Sequence, residues 1–319
     1  MKPSIALKMN KSEIAIRNYK VLRKCTFGIQ KIVSDWDDTI TNGDTIHLIF
    51  DCLPESAPHK LDYFFKIYMN EYRKYHEQIL PHKPYKERNN IEKEIRYQKD
   101  IKSIELSSFD ACIKQHTFKG INREQLCSQC SNVRIRDGFN EFITYIMKQT
   151  KDDPLFEILS VNWTSAFISE YLKRMLWKNT IPIYSNDLKF DNDGICLGIS
   201  DDSRDDIRTG YDKLCLLKRI GSGKRIAYIG DSSTDVLSMI YSDLAIIIKG
   251  GSAANQLRNM NFQVRDINQD VIDPSENVKF LQVDDWFDVL ALWNTDLIKL
   301  WYNYDQRNSK LMCPANNIL

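Results

Sequence analysis

Two carboxylates spaced by one residue close an apolar run, Lys31-Ile32-Val33-Ser34-Asp35-Trp36-Asp37. Side chains alternate along a strand with period 2, so Asp35 and Asp37 leave the strand end on the same side. Acids held that close repel each other unless a cation sits between them or one holds a proton. A metal-bound nucleophile beside a proton-transferring acid meets that condition. An acidic turn after an ordinary strand uses the same residues, and the rest of the chain decides between the two.

A second segment, Glu157-Ile158-Leu159-Ser160-Val161-Asn162-Trp163-Thr164, puts a hydroxyl where a strand ends and a helix begins near Ser165. Free N–H groups there can hold a phosphoryl oxygen beside Ser160. Tyr211-Asp212-Lys213-Leu214 starts another helix, and a lysine so placed reaches an anionic oxygen or balances clustered acids. Lys218 and Lys224 compete for that role. In Ile226-Ala227-Tyr228-Ile229-Gly230-Asp231-Ser232-Ser233-Thr234-Asp235, an apolar strand runs into Gly-Asp and a further acid follows four residues on. Asp231 is placed to bind a hard cation through oxygen, and Asp235 is either a ligand or an anchor behind one. Gly221-Ser222-Gly223-Lys224 lacks the rest of a P-loop, since 218 is Lys and 225 is Arg.

The elements that must carry these groups are legible as alternating strands and helices. Near-continuous apolar runs over 29–33, 156–159, 225–229 and 244–248 read as parallel strands covered on both faces. Amphipathic stretches at 139–147, 165–177 and 212–220 lie between them. This predicts an α/β fold, a Rossmann-like parallel sheet sandwiched by helices, with function at the carboxyl ends of the strands. From 46 to 133 no strand is evident, and helical runs at 61–79 and 85–106 flank Pro81-His82-Lys83-Pro84. That stretch reads as a helical insertion. The predicted organisation is a basic leader over 1–26, a core of 27–45 and 134–319, and an inserted helical cap over 46–133. Residues 182–199 read as a hairpin of 183–185 with 195–197, turning near 191–194. The tail, 284–303, reads as a helix whose Trp286, Trp293 and Trp301 pack into a core.

Composition bounds the partners. The 319 residues carry a net charge of +1, with 43% hydrophobic and 27% charged residues. Such a balance supplies no basic field for nucleic acid. No apolar run nears the roughly 18 residues of a membrane span. The leader bears Lys2, Lys8, Lys11, Arg17, Lys20, Arg23 and Lys24 against Glu13. A solvated leader, a surface helix or an organelle presequence would each fit. The eight cysteines are scattered, as for reduced thiols in the cytoplasm. Cys127 and Cys130 could form a zinc site only with Cys112 and His116.

Taken in order, the four chemical segments resemble the haloacid dehalogenase (HAD) superfamily: Asp-x-Asp-x-Thr on a strand, a strand ending in Ser or Thr, a Lys, and Gly-Asp-x-x-x-Asp. Here these are Asp35, Asp37 and Thr39; Ser160; Lys213; and Asp231 with Asp235. The insertion after the first motif resembles the type 1 cap, and Arg136-Asp137-Gly138-Phe139 with Asn186-Asp187-Leu188 is similar to phosphoserine phosphatase-like members. The resemblance implies Mg²⁺-dependent hydrolysis of a small phosphorylated metabolite through an aspartyl-phosphate. Asp35 would be nucleophile and metal ligand. Asp37 would be acid and base, and a metal ligand through its carbonyl. Ser160 and Lys213 would hold phosphoryl oxygens, with Asp231 and Asp235 at the metal. A catalytically silent regulatory or scaffold protein on the same core is the alternative. Phosphoserine phosphatases carry Glu where this chain has Asp44, and Gly-Gly where it has Val161 and Asn162. Asp44, Asn162 and Trp163 are the expected substrate contacts, with Trp163 either stacking on a flat phosphorylated metabolite or packed in the core, and the departures point away from phosphoserine.

Overall fold

The computed structural model describes residues 12–79, 88–149, 155–176, 181–199, 206–294 and 296. Its centre is a seven-stranded, all-parallel sheet. The strands are β1 (Lys31–Ser34), β2 (Phe156–Leu159), β3 (Ile183–Tyr184), β6 (Ile226–Gly230), β7 (Leu244–Ile248), β8 (Val264–Asp266) and β9 (Phe280–Val283). They stand in the order β3-β2-β1-β6-β7-β9-β8. Strands β1, β2, β6 and β7 are buried along their whole length, as their unbroken apolar runs require.

The chain leaves β1 to build one half of the sheet and returns to β1's other side to build the rest. Ser34 lies opposite Ile158 on one flank and Ile229 on the other. The end of β1 is therefore a topological switch point, where open α/β sheets gather their functional groups. The sequence reading gave four of these strands, placed 183–185 in a hairpin instead, and omitted β8 and β9, which lie toward one edge of the sheet.

Two expected elements are drawn differently. Residues 183–184 do not form a hairpin arm; they add to the main sheet beside β2. The hairpin arms are β4 (Leu188–Phe190) and β5 (Cys196–Ile199), with the turn at 191–194 as expected. Ile183 and Tyr184 extend a parallel sheet because Ile158 and Ser160 donate to the carbonyls of Pro182 and Tyr184.

The second difference is at the N-terminus. Residues of the basic leader form helix α1 (Glu13–Thr26), N-capped by Ser12, with Ala15, Ile16, Asn18, Tyr19 and Leu22 buried at helical spacing. Asn18 donates to the carbonyls of Ile267 and Asp270, and the Tyr19 hydroxyl donates to Asp288 at 2.5 Å. The helix is thus built into the core. Residues 1–11 lie outside the described part.

Between β1 and helix α7 (Phe139–Gln149) the described chain is helical: α2 (His47–Phe50), α3 (Leu61–Ile79), α4 (Ile91–Asp100), α5 (Lys102–Lys114) and α6 (Arg123–Ser128). The expected single helix over 85–106 is two, with Ile101 between them. A bridge of Thr41 with Ile135 ties the entry of this segment to its exit. Helix α4 is fixed to the core by buried polar contacts. Arg88 grips Glu94 through two hydrogen bonds, Gln256 donates to Glu94, and Gln98 accepts from the Gly210 amide.

Helices α8 (Ala166–Leu176), α9 (Gly210–Ile220), α10 (Val236–Tyr241) and α11 (Ala253–Asn259) complete the layers, with α12 (Trp286–Trp293) behind β1. In α12 Trp286 is fully buried, as the core reading of the tail requires; Trp301 lies outside the described residues. Among the described residues, no helix is long and apolar enough to cross a membrane.

Candidate active site

Strand β1 delivers Asp35 to the sheet's carboxyl edge, where its amide continues the ladder by donating to Ile229. Strand β6 delivers Asp231 to the same edge. Gly230 precedes it because a Cβ there would lie 2.5 Å from the Asp235 carboxyl carbon. Helix α9 delivers Lys213. Its first turn is fixed by a capping box in which Thr209 and Asp212 satisfy each other's amides.

These groups meet. Lys213 Nζ is fully buried, 2.8 Å from Asp35 Oδ1 and 2.8 Å from Asp235 Oδ1. Lys218 and Lys224 are not the site lysine: the ammonium of Lys218 faces the ring of Tyr241, and Lys224 lies in the turn before β6. Burial alone would lower the Lys213 pKa, but Asp235 and Asp35 outweigh it and hold the ammonium protonated. Asp35 is pushed well up by burial and by Asp235, against the pull of Lys213. Asp231 is raised to about 7 by burial and by Asp235, against the Thr39 hydroxyl that donates to it at 2.9 Å. Buried acids so raised are short of positive charge.

Asp35, Asp231 and Asp235 each offer an oxygen within 4.8 Å of the others. Asp235, however, is already occupied. Its Oδ1 takes Lys213 and the Tyr228 hydroxyl; its Oδ2 takes the amides of Asp231 and Ser232 and the Ser232 hydroxyl. Of the two roles expected of Asp235, ligand or anchor, these filled acceptor positions fit the anchor, although it stays within the acidic group. Asp35 Oδ1 is buried and faces the Lys213 ammonium as an ion pair without a well-formed hydrogen bond. Hard carboxylate oxygens clustered in this way fit a small divalent cation. Gly251 leaves room for Asp231, since a Cβ would stand 2.1 Å from Asp231 Oδ2.

Asp37 sits on the flank, half-buried. Its Oδ1 accepts from the Thr45 amide at 2.8 Å and the Thr45 hydroxyl at 2.5 Å; its Oδ2 accepts from Asn162 Nδ2 at 2.9 Å. Burial and repulsion from Asp44 raise it to about 6, against those hydrogen bonds. A carboxyl in that range can both give and take a proton near neutrality.

Ser160 stands buried at the end of β2, and its hydroxyl accepts from the Asn162 amide at 3.0 Å. Asn162 was expected as a substrate contact, but its side-chain amide is engaged by Asp37, Thr45 and Thr164. Trp163 is partly buried in a ring cluster with Phe50, Phe109 and Phe118 of the helical segment, so packing is its evident role. Asp44 is exposed and accepts from the Ile46 amide. It lines a cleft of about 590 Å³ with Asn42, Thr45, His47, Asp51 and Arg134.

Sequence reasoning missed the site roles of Thr45 and Tyr228, and it read Trp286 as core without the indole's hydrogen bond to the Thr39 carbonyl at 2.8 Å. No spacing rule points to them. The Gly250-Gly251 pair after β7 was a usable signal, because paired glycines at a strand end permit close approach. The Cys127, Cys130, Cys112 and His116 zinc possibility is not assembled: among the described residues the aspartate group is the only such cluster.

Cold tolerance protein 1 of Saccharomyces cerevisiae is 30% identical over 246 residues, spanning 66% of this chain and 75% of that protein. The chain belongs to the cold tolerance protein 1 family. A second family member, from Schizosaccharomyces pombe, is 25% identical over 230 residues, 68% of this chain and 81% of its own length. No family model matches the chain. Among solved structures, cytosolic 5'-nucleotidase IIIB bound to cytidine superposes with a TM-score of 0.52 at 16% identity, covering 90% of this chain and 92% of that one. At that identity the likeness is one of fold. This family member therefore shares the fold of that nucleotidase, a parallel sheet layered with helices.

Proposed function

We propose that the chain hydrolyses phosphomonoesters of small metabolites through an aspartyl-phosphate, with Mg²⁺ as cofactor. The observation that carries this is the buried Lys213 held between Asp35 and Asp235, beside Asp231, at the switch point of the sheet. An ordinary core has no use for three clustered acids and an ammonium, because each buried charge costs several kcal/mol, on the order of the stability itself.

Asp35 Oδ attacks phosphorus; the new P–O bond forms as the bond to the leaving oxygen breaks, and Asp37 gives that oxygen its proton. Asp37, now a carboxylate, takes a proton from water, whose oxygen attacks phosphorus and breaks the bond to Asp35. Inorganic phosphate leaves, and both aspartates return to their starting forms. Lys213 and Ser160 hold the equatorial oxygens, where charge spreads in the transition state. Asp35, Asp231 and the Asp37 carbonyl would hold Mg²⁺, which when bound offsets the repulsion between carboxylate and phosphate. The helical segment acts as a cap, meeting the core around Trp163 at the site's edge. The free cysteines among the described residues suit a reducing compartment such as the cytoplasm.

The test is phosphate release from a panel of phosphorylated metabolites, with and without Mg²⁺. Asp35→Asn should abolish release while leaving the melting curve unchanged in shape. Equal release by variant and wild type would remove Asp35 from the chemistry.

A further inference from the structure

We propose that Gln98, on helix α4 of the helical segment, is a positioning residue for Lys213. This rests on the phosphomonoesterase reading above. The first amides of a helix have no partner within it. At the start of α9 the capping box serves the amides of Thr209 and Asp212, and the Gly210 amide is met from outside, by Gln98 Oε1 at 2.9 Å. The same side chain donates through Nε2 to the Ser233 carbonyl at 3.3 Å. Gln98 therefore bridges the start of the lysine helix and the loop between Asp231 and Asp235. The two abut: a Cβ on Gly210 would stand 2.5 Å from the Thr234 carbonyl oxygen and 3.0 Å from Gln98 Oε1. Lys213 follows Gly210 by three residues, and Asp235 follows Ser233 by two. The 2.8 Å ion pair between Lys213 and Asp235 holds the ammonium. Gln98 holds the two backbones that carry the pair.

The orientation of the Gln98 amide is imposed from behind. Nε2 also donates to Glu94 Oε1 at 2.9 Å, which leaves Oε1 facing Gly210. Glu94 is itself fixed by Arg88 and Gln256, and both Glu94 and Gln98 are fully buried. Two neighbouring contacts repeat the grip. The Lys99 ammonium lies 4.3 Å from the centre of the Tyr211 ring, and Lys102 Nζ donates to Asp212 Oδ1 at 2.9 Å. Residues 210, 211 and 212 are thus each held by the helical segment, directly before Lys213.

The experiment compares wild type, Gln98→Met and Gly210→Ala, with 4-nitrophenyl phosphate as substrate and orthovanadate as inhibitor, well below the melting temperature of each protein. Gln98→Met keeps the bulk and removes the hydrogen bonds to Gly210 and Ser233. Gly210→Ala pushes the helix start away from the loop. Orthovanadate takes the five-coordinate shape of phosphorus in the transition state, so its equatorial oxygens report where Lys213 stands. Misplacing a group by about 1 Å costs about a hundredfold. Both variants should lose about that much in kcat with KM little changed, and the vanadate inhibition constant should rise in proportion. Gly210→Ala carries the same expectation if Gln98→Met does not fold. A purely structural Gln98 would lower Tm and leave kcat, KM and vanadate inhibition as in wild type. That result, or a fall in kcat without weaker vanadate binding, would overturn the positioning role while leaving the phosphatase reading in place. A wild type that neither hydrolyses the ester nor binds vanadate would overturn both.

Discussion

At the scale of single residues, the site is a problem of buried charge. Lys213 is fully enclosed between two carboxylates, and its removal strands both. Breaking a buried pair by deleting one partner costs about 3–5 kcal/mol. Lys213→Met should therefore lower unfolding stability in urea by about that amount, besides abolishing turnover. An unchanged urea midpoint would mean that the aspartates do not need the ammonium to remain buried. Gly251→Ala acts in the opposite manner, adding atoms where Asp231 stands. Calorimetric titration with Mg²⁺ should show affinity reduced about 10–100-fold, the range seen when support of a ligand is lost. The residues that bear the chemistry were legible because strand ends and helix starts label them. Their supports were not: Thr45 and Tyr228 are ordinary residue types at ordinary spacings, brought in by the fold. Asn162 and Asp235 were found as site residues, but a sequence does not show which bonds their side chains have already formed.

At the scale of elements, the strongest apolar runs were legible because burial on both faces leaves no polar position to blur them. Strand β3 was misassigned because a two-residue strand has no periodicity to read. Helix α5 carries a testable electrostatic feature. Glu105 faces Tyr68 on α3, and its pKa is raised to about 7, chiefly by burial, against the hydrogen bond from the Tyr68 hydroxyl. The unfolded value is near 4.5. Between these values the folded state binds the additional proton, so this group's contribution favours folding at low pH and is lost as pH rises from about 4.5 to 7. Glu105→Gln keeps an acceptor for Tyr68 and removes the titration. The stability difference between variant and wild type should thus grow in the variant's favour from pH 5 to pH 8 in urea unfolding. A difference independent of pH would refute the assignment.

At the scale of the whole molecule, residues 13–26 of the basic N-terminal segment belong to the fold. Its composition suggested a solvated leader because charge counts do not register which face of a helix is apolar. Ile16, Tyr19 and Leu22 are buried, and burial of such side chains is worth about 1.5–3 kcal/mol each. Deleting residues 1–26 should lower Tm by about 10 °C or more; a dispensable leader would leave Tm unmoved. The sheet order has its own consequence for how this chain is made. Strand β1 is an interior strand, third in the order of seven, and Ile32 pairs with Phe156 on one side and Ala227 on the other. A ribosome releases β1 early and its neighbours late, with a long helical stretch emerging between them. Until those neighbours arrive, both hydrogen-bonding edges of an apolar strand stand open to any other unpaired strand. The same topology that sets Asp35 inside the sheet leaves its surroundings incomplete until strand β6 and its acids have emerged.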